Sequence, residues 1–193
     1  MLWDSMNAKT HSINAIFVTA VFVLSFQLVG RIIDPIQSFL LTTGYASILF
    51  LPHGIRVLAV FLYGPGPASM YLLIASLVSL SLSDNPMDKS ALTITFQTLT
   101  GAFCAPVAYQ LLKFSFGSDH ISLGSVNART WRGILMVIIV SSLINGLFQT
   151  LSIGFGDAGI ADVLLSLKYT VGDIFGAIFV LFAANYLLRQ AIN

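Results

Sequence analysis

The feature that most restricts the fold is a long, predominantly apolar run between residues 36 and 64, which is interrupted near its centre. The interruption covers residues 51–56 (LPHGIR) and combines a helix breaker, an imidazole and a full positive charge. An arginine near the centre of a bilayer costs about 2.5–3.5 kcal/mol even on the mildest scale. The chain must therefore place Arg56 inside a bundle of helices and give it a partner there.

Composition places the chain among integral membrane proteins. Of the 193 residues, 56% are hydrophobic and only 9% are charged, whereas a soluble domain carries about 25% charged residues. The single cysteine, Cys104, excludes an internal disulfide and a cysteine metal cluster. The net charge of +1, without any run of lysines and arginines, excludes a nucleic-acid-binding surface.

Apolar stretches of about 20 residues predict six transmembrane helices. The predicted spans cover residues 13–33, 36–63, 67–83, 91–114, 131–155 and 161–188. We therefore expect an all-α fold, in which residues 1–193 form a single transmembrane domain. This domain is a six-transmembrane-helix bundle with a broken second helix. The first span is expected to be a retained helix rather than a signal peptide, because no small-residue cleavage site follows it.

Lysines and arginines are distributed unequally between the two sides that six crossings define. Two of them, Arg31 and Lys89, fall on the side opposite to the termini. Five fall on the side that holds both termini: Lys9, Lys113, Arg129, Arg132 and Arg189. Because basic residues accumulate in cytoplasmic loops, both termini are predicted to be cytoplasmic.

The sequence places a second polar segment, residues 172–176, at the same depth in the membrane as residues 51–56. The second and sixth helices both run inwards from the outer side, which places Arg56 and Asp173 near the middle of the membrane. A pair of opposite charges offsets much of the cost of burying each of them. Gly172 and Gly176 flank the acid in a Gly-x-x-x-Gly step, which allows another backbone to approach closely. The sequence therefore predicts an Arg56–Asp173 ion pair.

Further polar residues at comparable depth extend this pair into a cluster. The predicted cluster consists of His53, Arg56, Gln97, Asn145, Gln149 and Asp173. A helix break and close packing are assigned to Pro52, Gly54, Gly172 and Gly176. Two interpretations remain open: a ligand-binding pocket that opens outwards, or a structural clasp in which the amides hold helices together.

The sequence contains none of four common catalytic or cofactor-binding motifs. It contains no His-Glu-x-x-His, Cys-x-x-Cys, phosphate-loop or Gly-x-Ser-x-Gly pattern. The three histidines, His11, His53 and His120, are scattered over different regions. We therefore expect no enzyme activity, no metal site and no cofactor.

Residues 51–64 (LPHGIRVLAVFLYG) resemble the motif W-P-P-x-G-(I/L)-x-x-A-x-L-x-x-G of membrane-associated sensor (MASE) domains. Residues 170–176 (TVGDIFG) are similar to that family's terminal W-x-x-G-D-x-x-G motif, with Gly172, Asp173 and Gly176 at matching positions. The resemblance spans residues 13–188. It implies a multi-helix sensory module of the bacterial inner membrane, of the kind that normally precedes a diguanylate cyclase, phosphodiesterase or histidine kinase domain.

The sequence ends a few residues after the sixth span, so we expect a stand-alone module without an output domain. Such a module is a non-catalytic sensory or accessory subunit that acts through a separate protein. Its expected partners are the lipid bilayer, other membrane protein subunits or a signalling enzyme in trans; a small-molecule ligand is left open.

A second class of protein fits the same features. The chain resembles the substrate-binding S components of energy-coupling-factor vitamin transporters, which are six-helix proteins of this size without soluble domains. It shares with them an apolar helix ending in Phe-Leu-Tyr-Gly-Pro, followed by a helix of small residues. An S component binds a vitamin and co-purifies with a transmembrane coupling subunit and two ATPases.

Overall fold

The computed structural model describes residues 8–41, 47–82, 91–116, 128–154 and 162–192, and all regular structure in these ranges is helical. Helix α1 runs without a break over residues 8–41. It consists of an α-helix over Ala8–Leu28, a π-helical turn over Val29–Ile33 and an α-helix over Asp34–Leu41. The other helices are α2 (Leu51–Tyr63), α3 (Pro65–Ser81), α4 (Ala91–Phe116), α5 (Ala128–Gly154) and α6 (Asp162–Ile192). The predicted all-α class is therefore confirmed for the described residues.

Four of these six helices are long and apolar enough to cross a membrane. The apolar segments that meet both criteria are Ala8–Phe39, Ala91–Phe116, Trp131–Ser152 and Val163–Leu187. Helices α2 and α3 are also apolar, but they contain only 13 and 17 residues.

The surface of the bundle is apolar, whereas its interior contains charged groups. Phe114 is 93% exposed and Phe39 is 86% exposed, whereas Arg56 and Asp173 are buried. A protein in water would hide such aromatic side chains and expose its charges. The inverse arrangement suits a protein surrounded by lipid.

The predicted boundary between the first and second spans needs correction. Helix α1 continues through Asp34 and Pro35 to Leu41, so residues 36–41 belong to it. The π-helical turn explains this continuity. Within it, the backbone N–H of Asp34 donates to the carbonyl of Val29, five residues earlier. This wide turn accommodates a proline that lacks an N–H of its own.

Pro52 stands in the first turn of a helix rather than in the middle of one. Residues 47–50, which we call the break segment, are not helical, and α2 begins after them with Phe50 as its N-cap. Proline is favoured in a first turn because the N–H that it lacks would have no partner within the helix. The prediction of a second helix broken at Pro52 therefore needs correction. Within the described residues this helix begins at Leu51, and non-helical backbone, not a helical half, precedes it.

The other four predicted spans overlap α3 to α6, and their ends differ from the observed ones by at most four residues. The agreement reflects uninterrupted apolar length, which sets the ends of a helix in lipid. The loops predicted over residues 84–89, 115–130 and 156–159 fall largely outside the described residues; where the second of them is described, at residues 115–116 and 128–130, the chain is helical.

Helix α2 lies at the centre of the bundle and contacts all five other helices. Eight of its 13 residues are buried. Its Gly54 faces α6 closely, since a Cβ at this position would lie 2.6 Å from the Cβ of Val180. The core of the bundle contains small residues with exposed fractions of 0–2%, which allow the helices to approach each other: Ala59, Ala68, Ala75, Ala102, Ala105, Ala108 and Ala177.

The break segment packs against α6 at two glycines. A Cβ on Gly172 would overlap the carbonyl oxygen of Ser47, and a Cβ on Gly176 would overlap that of Phe50. Between these two contacts, the backbone N–H of Phe50 donates to the carbonyl of Gly172 at 3.0 Å. The Gly-x-x-x-Gly step therefore receives a non-helical backbone rather than another helix.

We predict that Gly172→Ala and Gly176→Ala each lower the free energy of unfolding by about 1–3 kcal/mol, the usual effect of overpacking. The measurement is denaturant unfolding of the purified protein in detergent, followed by helical circular dichroism. Gly66→Ala is the control, because nothing lies within 4 Å of a Cβ added there. Equal stability of all three variants would contradict the proposed packing.

Candidate functional site

A cluster of buried polar side chains lies where α2, α5 and α6 meet. The exposed fractions are 0% for His53, 1% for Asp173 and 3% for Asn145. Arg56, one turn further along α2, is 5% exposed. Groups of this kind are costly to bury unless they are paired or hydrogen-bonded, so their contacts determine what the cluster can do.

Asp173 connects α6 with both α5 and α2. Its Oδ2 accepts a hydrogen bond from the Nδ2 of Asn145 at 2.6 Å. The same oxygen lies 3.4 Å from the Nδ1 of His53, a nitrogen for which the described residues offer no hydrogen-bond partner. The Asp173 carboxylate therefore has a short hydrogen bond to Asn145 on α5 and a longer contact with His53 on α2.

The other nitrogen of His53 contacts two serines on α5. The His53 Nε2 lies 2.9 Å from the Oγ of Ser141 and 3.2 Å from the Oγ of Ser142. The imidazole thus bridges the hydroxyls of α5 and the carboxylate of α6.

A proton on this imidazole has two alternative positions. The Ser141 hydroxyl donates to the carbonyl of Ile138 at 3.1 Å, so its oxygen can accept from a protonated Nε2. The Ser142 hydroxyl can instead donate to Nε2, in which case Nδ1 carries the proton and directs it at Asp173. The position of this proton therefore decides whether the imidazole donates to α5 or to α6.

The predicted Arg56–Asp173 ion pair is absent from the described part of the chain. Within 4.0 Å, the basic partner of the carboxylate is His53 instead. The guanidinium carbon of Arg56 lies 5.5 Å from the ring centres of both Phe22 and Phe50. The physical reason is the direction of helical side chains, which lean towards the N-terminus of their helix. The long arginine therefore reaches back to the N-cap residue, Phe50.

Gln149 and Gln97 lie at the edge of the cluster and are half-buried. The Nε2 of Gln149 is 3.4 Å from the main-chain carbonyl of Gln97 and 3.5 Å from the Oδ1 of Asn145. Of the six predicted cluster residues, the structure thus brings His53, Asn145 and Asp173 into direct contact. The two glutamines form a longer, weaker bridge between α4 and α5.

Several functional neighbours were not predicted from the sequence. Ser141 and Ser142 precede Asn145 by four and three residues and therefore share its helical face, a spacing that could have revealed them. Phe22 belongs to α1 and Phe50 to the break segment. No local pattern connects either aromatic residue to Arg56.

Among the described residues, no three His, Cys, Asp or Glu side chains come together as ligands of a metal ion would. No family model, curated protein or solved structure matches this chain.

We predict that His53 and Asp173 are energetically coupled more strongly than Arg56 and Asp173. Side chains in contact show coupling energies of about 0.5–3 kcal/mol in double-mutant cycles. The cycle combines His53→Ala with Asp173→Asn and measures unfolding in detergent, and the control cycle combines Arg56→Gln with Asp173→Asn. Exchanging Arg56 and Asp173 should not restore stability, because the pair is not in contact. Stronger coupling in the control cycle would contradict this prediction.

Proposed function

We propose that this chain is a non-catalytic membrane subunit, sensory or accessory, which transmits the state of its buried polar cluster to a separate protein or a larger membrane complex. The observation that carries the proposal is the contact between His53 on α2 and Asp173 on α6. It connects a group that can change its protonation to the helix at the centre of the bundle.

A change at the cluster has a direct route to other parts of the molecule. Asp173 follows Gly172, whose carbonyl accepts the N–H of Phe50. At the other end of the break segment, the N–H of Ile48 donates to the Oε1 of Gln37 on α1 at 2.7 Å. A proton or ligand at Asp173 would therefore alter a segment that is bonded to both α1 and α6. Such bistable contacts are what sensory proteins use to report a local event.

The resemblance to MASE sensor modules supports the same function. Its terminal motif contains Gly172 and Gly176, at which α6 meets the break segment, and Asp173, which contacts α5 and α2. The motif thus coincides with a place where a small change in packing would be transmitted.

We further propose that all six helices cross a bacterial inner membrane, with both termini in the cytoplasm. Helix α2 rises roughly 20 Å at 1.5 Å per residue, and the four residues of the break segment add at most about 13 Å. Together they can reach across the roughly 30 Å of hydrocarbon in a bilayer. With 17 residues, α3 is at the lower limit for a crossing. The excess of basic residues on the side of the termini supports the orientation.

A substrate-binding S component of a vitamin transporter is the second candidate. The observation that favours it is the start of α2 inside the bundle, next to Arg56. Transporters often direct the positive ends of interrupted helices at anionic groups of their substrates.

Isolation of the tagged chain from its native membranes in mild detergent tests the proposed function. We expect a signalling enzyme or a membrane complex to co-purify, and Asp173→Asn to change the partner's output. Lys168→Gln, an exposed position on the same helix, is the control and should leave the output unchanged. Recovery of a coupling subunit with two ATPases would support the transporter instead. Recovery of the chain alone, even after cross-linking in the membrane, would contradict both.

We predict that a membrane-impermeant thiol reagent labels Leu82→Cys on intact cells but labels Lys9→Cys only after the cells are broken. Residue 82 follows α3 on the proposed outer side, and residue 9 begins α1 on the cytoplasmic side. The unmodified chain is the control, because its only cysteine, Cys104, is buried. The reverse labelling pattern would invert the orientation.

A further inference from the structure

The geometry points to Arg56 as the binding site for the carboxylate of an anionic amphiphile, a fatty-acid-like molecule whose apolar tail remains in the surrounding lipid. The inference deepens the proposed function. It rests on that function only for the claim that binding changes a signal; binding itself can be measured on the purified chain without a partner.

Arg56 is a buried cation whose hydrogen-bonding capacity is largely unused. It is 5% exposed, and two of its three guanidinium nitrogens, Nε and Nη1, have no hydrogen-bond partner in the described part of the chain. A guanidinium remains protonated under all ordinary conditions and cannot escape the cost of burial by losing its charge. An anion beside it would satisfy both the charge and the free donors.

The N-terminus of α2 faces the same place. This helix has 13 residues, and its N-cap is Phe50. The guanidinium carbon of Arg56 lies 5.5 Å from the Phe50 ring centre, so the side chain points back to the start of its own helix. The positive end of the helix dipole and the guanidinium charge therefore attract an anion to one position.

The described neighbours of this position are aromatic rings, backbone and the thiol of Cys104, which interacts with the Arg56 guanidinium. Phe22 lies on α1, with its ring centre 5.5 Å from the guanidinium carbon. On α4, a Cβ at Gly101 would lie only 2.8 Å from the Nη2 of Arg56, so only glycine lets α4 approach this closely. The nearby acid, Asp173, already accepts from Asn145 and lies next to His53. A ligand here would therefore meet a cation that has no ion-pair partner among the described residues and is surrounded by aromatic rings, backbone and one thiol.

Phe26 indicates the side from which a ligand arrives. Its ring centre lies 6.1 Å from that of Phe50 and 6.5 Å from that of Phe22. It is 37% exposed, whereas Phe22 is only 2% exposed. Phe26 thus stands between the guanidinium region and the lipid-facing surface of α1. A ligand that passes this aromatic residue comes from the bilayer and needs an apolar part.

A carboxylate fits the site better than a phosphate. A guanidinium can bind either group through two parallel hydrogen bonds, so the charge decides between them. A carboxylate carries a single charge, which costs less to transfer into an apolar interior than the higher charge of a phosphate monoester. This argument restricts the class to monocarboxylates with an apolar tail.

The test measures binding of laurate, dodecanol and dodecyl phosphate to the purified chain, by native mass spectrometry and thermal unfolding in detergent. We expect saturable binding of one laurate per chain. Dodecanol should bind at least about tenfold more weakly, the loss typical of one charge-assisted hydrogen bond, and dodecyl phosphate should also bind more weakly because its higher charge costs more to bury. Arg56→Gln should weaken laurate binding by a similar factor. Arg31→Gln, an exposed arginine on α1, should bind as the unmodified chain does.

A second measurement keeps the native Arg56 and does not depend on how well Arg56→Gln folds. In Phe26→Trp, the fluorescence of the new indole should change saturably with laurate and not with dodecanol; the unmodified chain gives the background signal. Equal responses to laurate and dodecanol would overturn the anion site. Tighter binding of dodecyl phosphate would overturn the choice of a carboxylate. Because no partner protein is present, failure of binding and failure of partner recruitment are separate results.

Discussion

A backbone that leaves the helical conformation inside a membrane must find its hydrogen-bond partners within the protein. The break segment meets this requirement from two sides, through Gln37 on α1 and the carbonyl of Gly172 on α6. These contacts set the point at which α2 begins, and that point sets the depth of His53 and Arg56. The whole polar cluster therefore depends on a few hydrogen bonds made by four non-helical residues.

The polar cluster divides into two parts with different chemistry. Around His53 and Asp173, donors and acceptors from α2, α5 and α6 are matched closely enough for a single proton to change the pattern. Around Arg56, the neighbours are aromatic rings, backbone and the thiol of Cys104, and no acid of the described residues lies within ion-pair distance of its charge. The first part is suited to a switch and the second to recognition of an anion, and one turn of α2 separates them.

Much of this arrangement can be predicted from the sequence, because it depends on local patterns. Apolar length identifies α3 to α6, and an acid between two glycines identifies the place where α6 is approached by another backbone. The continuation of α1 past Pro35 could not be predicted, because it depends on a π-helical turn that has no signature in the composition. The partner of Asp173 also escaped prediction. Whether His53 or Arg56 contacts Asp173 depends on ångström differences in distance. It also depends on Phe22, a residue from a distant part of the chain.

The packing of the break segment against α6 has a consequence for how the chain is made. During translation the break segment leaves the ribosome long before Gly172 and Gly176 are synthesised, by a delay on the order of ten seconds. Throughout that interval, the backbone of the break segment lacks the surface on which it packs in the finished protein. Water or the insertion machinery must supply substitute partners until then. The centre of the bundle is consequently assembled last, although its helix is among the first to be made.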